Sequence, residues 1–96
     1  MMKKANIHGV DVAIDHVTLH DQHGTFDSTT NTIEVNADSK LCHWRILSHE
    51  LTHAGLDISG VAELLTDEQQ EAICTAMEGT FGPLIKQAES AGVQVY

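Results

Sequence analysis

The sequence predicts a small α+β domain, and three observations carry that prediction. Period-two alternation of apolar and polar residues is confined to the first third of the chain. Two stretches of helical periodicity fill most of the rest. The 96 residues suit a single domain over 1–96 and leave no room for a second. Strands first and helices afterwards is the order of an α+β fold, here with a small antiparallel sheet of about three short strands.

Within the first third, Val10, Val12 and Ile14 point one way and Asp11, Ala13 and Asp15 the other, which reads as a half-buried strand. Gly9 marks a turn after a shorter strand near Lys4 to His8. Asp21-Gln22-His23-Gly24 is turn chemistry, because glycine supplies the positive φ that a tight turn needs. Phe26 follows, then the polar break Asp27-Ser28-Thr29-Thr30-Asn31, and Thr32-Ile33-Glu34-Val35 alternates again.

Asp38 or Ser39 is expected to cap a first helix running from about Lys40 to Ala54, with Gly55 as the left-handed residue that ends it. At about 100° per residue, Trp44, Leu47, Leu51 and Ala54 share one side of that helix. His49 and His53 share the opposite side, which Cys42 and Ile46 extend. Leu56 to Leu65 reads as an irregular connection with Gly60 as its flexible point and room for a short helical turn. Thr66-Asp67-Glu68-Gln69 is a capping box for the second helix. That helix carries Ala72, Ile73, Ala76, Met77 and Thr80 on one side and is expected to stop near Gly82-Pro83. Leu84 to Ala88 reads as a last helical piece, and Glu89 to Tyr96 as an ordered tail or short strand.

Composition narrows the function classes. An apolar fraction of 42% supports a compact core. Five Lys plus Arg against fourteen Asp plus Glu give a net charge of −9, which argues against a nucleic-acid or anionic-membrane partner. No apolar run approaches the roughly 18 residues that span a bilayer. Met1-Met2-Lys3-Lys4 looks like the start of a signal peptide, but Asn6, His8, Asp11 and Asp15 interrupt any apolar segment after it. The expected compartment is therefore the cytoplasm. Cys42 and Cys74 would stay reduced there, as buried inert thiols or, alternatively, with a share in metal binding.

Seven histidines are many for this length. Two of them stand in His49-Glu50-Leu51-Thr52-His53, four apart, so that both imidazoles stack on one helix face. Such a pair can bind one metal ion, and Glu50 beside it can polarise a water in an open coordination position. The competing explanation is a coincidental pair of surface histidines, against which stands the helical context on both sides of the motif.

A catalytic zinc site usually takes three protein ligands. No histidine follows His53, which favours a carboxylate as the third donor. Glu71, Glu68 and Glu63 are the candidates. From periodicity alone Glu71 reads as part of a solvated face with Glu68, Thr75 and Glu78.

The motif resembles that of the zincin superfamily, in which His-Glu-x-x-His is followed by a Glu on the next helix, the gluzincin arrangement. In that arrangement Ala and a core residue commonly come after the Glu, as in Glu71-Ala72-Ile73 here. The element order is similar to that of compact ImmA/IrrE-type and small phage- or prophage-encoded zincin domains, over roughly Gly24 to Phe81. The resemblance implies a minimal zincin-like fold and a zinc metallopeptidase acting on a peptide or protein substrate. Carried over, His49, His53 and Glu71 would hold one zinc ion and Glu50 would be the general base.

Other residues are candidates for assisting roles. Thr75, four after Glu71, is placed to hydrogen-bond that carboxylate. His23, His43 and Tyr96 are candidates to steady an oxyanion, although His43 lies about 120° from His49 around the helix. His16, His20 and His23 are too scattered by strand and turn for a second metal site. Thr32 to Asn36 is the expected sheet edge for aligning an extended peptide by strand addition. Two rival readings are a zinc-stabilised binding or regulatory module without turnover, and an assembly protein whose His pair is incidental.

Overall fold

The computed structural model describes residues 3–92. Met1, Met2 and the segment 93–96, with Tyr96, lie outside the described residues. The fold is α+β, in the order expected: four strands, β1 (Lys4–Ile7), β2 (Val10–Val17), β3 (Gly24–Asp27) and β4 (Thr32–Asn36), precede α1 (His43–Ile58) and α2 (Asp67–Ser90). A 3-10 turn, Val61–Leu64, lies in the connection between the helices.

The β1–β2 hairpin closes on the Ile7–Val10 pair through a two-residue turn, His8-Gly9. Both turn residues have positive φ, 49° and 82°, the backbone that matches the twist of the flanking strands. Val12 and Ile14 are buried and Asp11, Ala13 and Asp15 exposed, as the alternation requires.

The sheet is mixed rather than antiparallel, with strand order β1-β2-β4-β3 and β2 parallel to β4. Burial accounts for the difference. The β3–β4 hairpin docks through its more apolar strand, whose Ile33 and Val35 are fully buried, so β4 becomes an inner strand. No residue of β3 is fully buried, and β3 takes the edge. Asn36 at the end of β4 holds the crossing loop. Its Nδ2 donates to the carbonyls of Leu19 and Gln22, at 3.0 and 2.9 Å. Its Oδ1 accepts from the backbone N–H of Leu19 and Asp38. Thr32 to Asn36 therefore has a neighbour on both sides and cannot receive a peptide strand; the edges are β1 and β3, and β3 is the one beside the His49–Glu50–His53 motif.

Helix α1 starts and ends later than expected. Cys42 is its N-cap and makes no side-chain capping bond. The two expected caps are engaged elsewhere: Asp38 Oδ2 accepts from Thr18 Oγ1, and Ser39 Oγ from the Leu41 N–H. Gly55 lies inside the helix, which runs on to Ile58, and left-handed Gly60 (φ 83°) provides the turn that follows. Packing of Ile58 against the core outweighs the roughly 1 kcal/mol that an interior glycine costs.

Helix α2 opens with the expected capping box. The Gln69 N–H donates to Thr66 Oγ1, and the Thr66 N–H to Gln69 Oε1. It does not stop at Gly82-Pro83 but passes through Pro83 to Ser90. Gly82 explains the continuation, because α2 meets α1 there. A β-carbon on Gly82 would lie 3.1 Å from the Trp44 carbonyl oxygen and 3.3 Å from Arg45 Cα. The buried stripe of α2 is also rotated from the expected one. Ala72, Ala76 and Thr80 are exposed, whereas Cys74 and Gly82 are buried and Ile73, Met77, Glu78 and Ile85 are half-buried.

The core lies between the sheet and α1, where Ala5, Val12, Ile14, Ile33 and Val35 meet Ile46, Leu47 and Ala54. Helix α2 packs against α1. The buried Ser48 hydroxyl donates to the Met77 carbonyl at 3.1 Å and ties the two helices together. Thus α1 is covered by the sheet and by α2, and the His49 side faces α2. Among the described residues no helix is long and apolar enough to cross a membrane.

Candidate metal centre

His49 and His53 sit one turn apart on α1, with ring centroids 5.1 Å apart. Their side chains are mostly covered, at 19% and 22% exposure. Opposite them, α2 presents Glu71, Cys74 and Glu78. Spacings of three and seven keep these three within about 60° of one another around the helix.

The Glu71 carboxylate reaches both imidazoles. Its Oε1 is 2.8 Å from His53 Nε2, and its Oε2 is 3.3 Å from His49 Nε2. Nitrogen and oxygen donors at about 2.0–2.1 Å around a tetrahedral ion stand about 3.3 Å apart. The His49 contact matches that spacing, the His53 contact is a shorter hydrogen bond, and two imidazoles with a carboxylate are a donor set that zinc accepts. Glu71 has 60% of its side chain exposed, so it stands at the solvent side of the group.

Of the other carboxylates considered, neither Glu63 nor Glu68 lines a cavity next to the His pair. Thr75 is exposed, and the partners of Glu71 are the two histidines instead.

Two residues at this seam were not placed there by the sequence. Cys74 is fully buried, and its Sγ together with one ring nitrogen from each of His49 and His53 forms a group whose atoms all lie within 4.8 Å of one another. Burial, with Glu71, Glu50 and Glu78 adding their negative charge, pushes the Cys74 thiol up to about 12. Glu78, with 15% side-chain exposure, places Oε1 3.7 Å from His49 Nδ1 and Oε2 3.5 Å from Arg45 Nε. The available signal was spacing: both residues share the face that carries Glu71. Cys42, by contrast, is exposed at the start of α1 rather than buried.

Glu50 is buried, with 8% exposure, between the half-buried His49 and His53. Burial raises its carboxyl above the usual range, and the neighbouring His49 and His53 partly offset that. Glu50 and His53 form the wall between two clefts. One, of about 400 Å³, is bounded by Asp21, His23, Gly24, His49, Glu71 and Glu78 among others. The other, of about 270 Å³, is bounded by Phe26, Ser28, Asp57 and Gln70. Edge strand β3 contributes Gly24 to the first and Phe26 to the second, so it runs alongside both. Gly24 permits this approach: a β-carbon there would fall 2.7 Å from Ile46 Cγ2, 3.1 Å from Glu50 Cγ and 3.2 Å from the Glu34 carbonyl oxygen.

The remaining histidines divide. His23 lines the larger cleft, and its Nδ1 lies 2.6 Å from Ser39 Oγ. His43 borders neither cleft and stacks instead on His16, at 4.8 Å between centroids, and edge-on to Trp44. His16 and His23 thus have different neighbours, and no second metal group forms from the His16, His20 and His23 set among the described residues.

Neither a protein-family model nor a curated protein sequence matches this chain.

Proposed function

We propose that this protein is a zinc-dependent hydrolase that cleaves peptide bonds, with His49, His53 and Glu71 holding the ion and Glu50 as general base. The observation that carries the reading is the position of Glu50. A buried carboxyl adjoins the convergent His pair, forms the wall between two clefts and lies directly behind an edge strand. Bound there, zinc would supply Lewis acidity toward the scissile carbonyl and lower the pKa of water. Glu50 takes the proton from the attacking water and returns it to the leaving amine nitrogen, a task for which a raised carboxyl pKa is suited. The free edge of β3 aligns an extended peptide or protein substrate past Glu50 through main-chain hydrogen bonds. This is the chemistry of a zincin-like metallopeptidase. Both cysteines are free, in keeping with a cytoplasmic setting, and the acidic surface disfavours nucleic acid.

One observation favours a second reading. With Cys74 as a further donor, the ion would have four protein ligands, the closed set of structural zinc sites. If all four stay bound, the protein is a zinc-stabilised binding or regulatory module without turnover.

One experiment separates these readings. The purified protein is analysed for zinc, and cleavage of a broad peptide library is compared between wild type and Glu50→Gln. The peptidase reading expects one zinc per chain in both and cleavage only in wild type. Equal inertness of two zinc-loaded proteins rejects turnover and leaves the module. A chain with far less than one zinc rejects both.

A further inference from the structure

The donors facing His49 and His53 differ in depth. Glu71 approaches from the solvent side with most of its carboxylate side chain exposed. Cys74, one turn further along α2, is fully buried in the seam between the helices. Its sulfur and one ring nitrogen from each histidine already lie within 4.8 Å of one another. Around a tetrahedral zinc, with nitrogen at about 2.0–2.1 Å and sulfur at about 2.3 Å, those atoms stand about 3.3–3.6 Å apart. The difference is at most about 1.2–1.5 Å, within reach of side-chain rotations. A soft sulfur beside two imidazoles is a donor set that selects zinc over magnesium or calcium.

We propose that Cys74 is an inner ligand of the ion, so that two imidazoles and one thiolate hold it from the buried seam while Glu71 closes the fourth position at the mouth. This assignment rests on the metal reading of the His pair and deepens it. On binding, the Cys74 S–H bond is replaced by a sulfur–metal bond and the proton leaves to solvent; nothing is oxidised or reduced. Glu71 is then the exchangeable ligand. Its departure opens the position that faces the larger cleft, whereas Cys74 holds the ion from a fully buried position.

Cobalt(II) tests this, because a thiolate ligand adds a near-ultraviolet charge-transfer band to the visible d–d bands of a tetrahedral ion. The metal-free full chain carrying Cys42→Ser, in which Cys74 is the sole thiol, is titrated with Co(II) without oxygen. Both sets of bands are expected. Visible bands without the charge-transfer band overturn the Cys74 assignment and leave the His pair as a metal site. Absence of both overturns the metal reading and the assignment with it.

Two variants sharpen the result, with circular dichroism verifying their fold. Glu71→Gln is expected to keep the charge-transfer band. Cys74→Ser is expected to lose it and to weaken binding by more than the roughly 10–100-fold that an outer partner is worth. The reverse pattern overturns the proposal. Because the first measurement leaves Cys74 in place, a Cys74→Ser chain that fails to fold does not blunt the test.

Discussion

Glu78 approaches the ring nitrogen of His49 that faces away from Glu71: Oε1 lies 3.7 Å from Nδ1, while Nε2 is turned toward the Glu71 carboxylate. Arg45, one turn before His49, holds the other oxygen of Glu78 at 3.5 Å. A carboxylate behind a metal-ligating imidazole fixes the ring's tautomer and orientation and raises its basicity. At 3.7 Å the contact is a charge interaction rather than a hydrogen bond, so Glu78→Gln is expected to weaken zinc binding by less than the about 10–100-fold that a hydrogen-bonded outer partner is worth. Arg45→Met should act in the same direction and less strongly, because it only loosens Glu78. Competition with a chromophoric chelator measures both; an unchanged affinity in Glu78→Gln would show that His49 needs no such support.

Gly24 is the point where the edge strand meets the motif helix. Alanine there would place a β-carbon 2.7 Å from Ile46 Cγ2 and 3.1 Å from Glu50 Cγ, with the Glu34 carbonyl oxygen closing the third side. Ile46 is itself in the core, so it has little room to yield. Gly24→Ala is expected to cost about 1–3 kcal/mol, the usual range for overpacking. On the peptidase reading, cleavage should fall further than stability alone explains, since the displaced strand borders both clefts. Urea denaturation and peptide assays on one preparation separate the two effects.

The two thiols should differ sharply in reactivity. Cys42 is exposed, whereas Cys74 is fully buried and its thiol is pushed up to about 12 from an ordinary 9.0. Since the thiolate is the nucleophile, folded metal-free protein at mildly alkaline pH carries on the order of a thousandfold less Cys74 thiolate than an ordinary cysteine would. Iodoacetamide should modify Cys42 alone in the folded chain and both residues after denaturation. Mass spectrometry of the tryptic peptides reads this directly, and rapid labelling of Cys74 in the folded protein would contradict its burial.

The parts legible in the sequence were those that depend on local rules. The Thr66–Gln69 box, the Gly9 turn and the alternation of Val12 and Ile14 each follow from a few neighbouring residues. What escaped depends on tertiary choices. Strand order required knowing that the Ile33–Val35 strand would dock against β2, which left β3 at the edge. Gly55 and Pro83 are local stop signals overridden by the packing of Ile58 and by the close helix contact at Gly82. The His49–Glu50–His53 pattern was visible because its spacing is a property of one helix. Cys74 and Glu78 were not, because assigning the apolar residues of α2 to one face rotated its buried stripe away from them. The contact of Glu71 with both histidines was expected from family resemblance, whereas periodicity alone left that residue on a solvated face.

Acidification should act through His43. Burial holds its imidazole below the usual value of 6.5, and His16, stacked on it from β2, lowers it further, while Glu89 of α2 opposes them. The folded chain thus prefers this ring neutral. As the pH drops through about 6.5, the unfolded chain takes up a proton at this position that the folded chain refuses. The stability contributed by neutral His43 is therefore present above that pH and is lost as the pH falls toward the lowered folded value. His43→Gln removes the titration, so its melting temperature should decline less than that of wild type between about pH 8 and pH 5. His43 borders neither cleft, so the variant should retain wild-type zinc content. A steeper decline in the variant would mean that protonated His43 stabilises the fold, the opposite of what burial beside His16 requires.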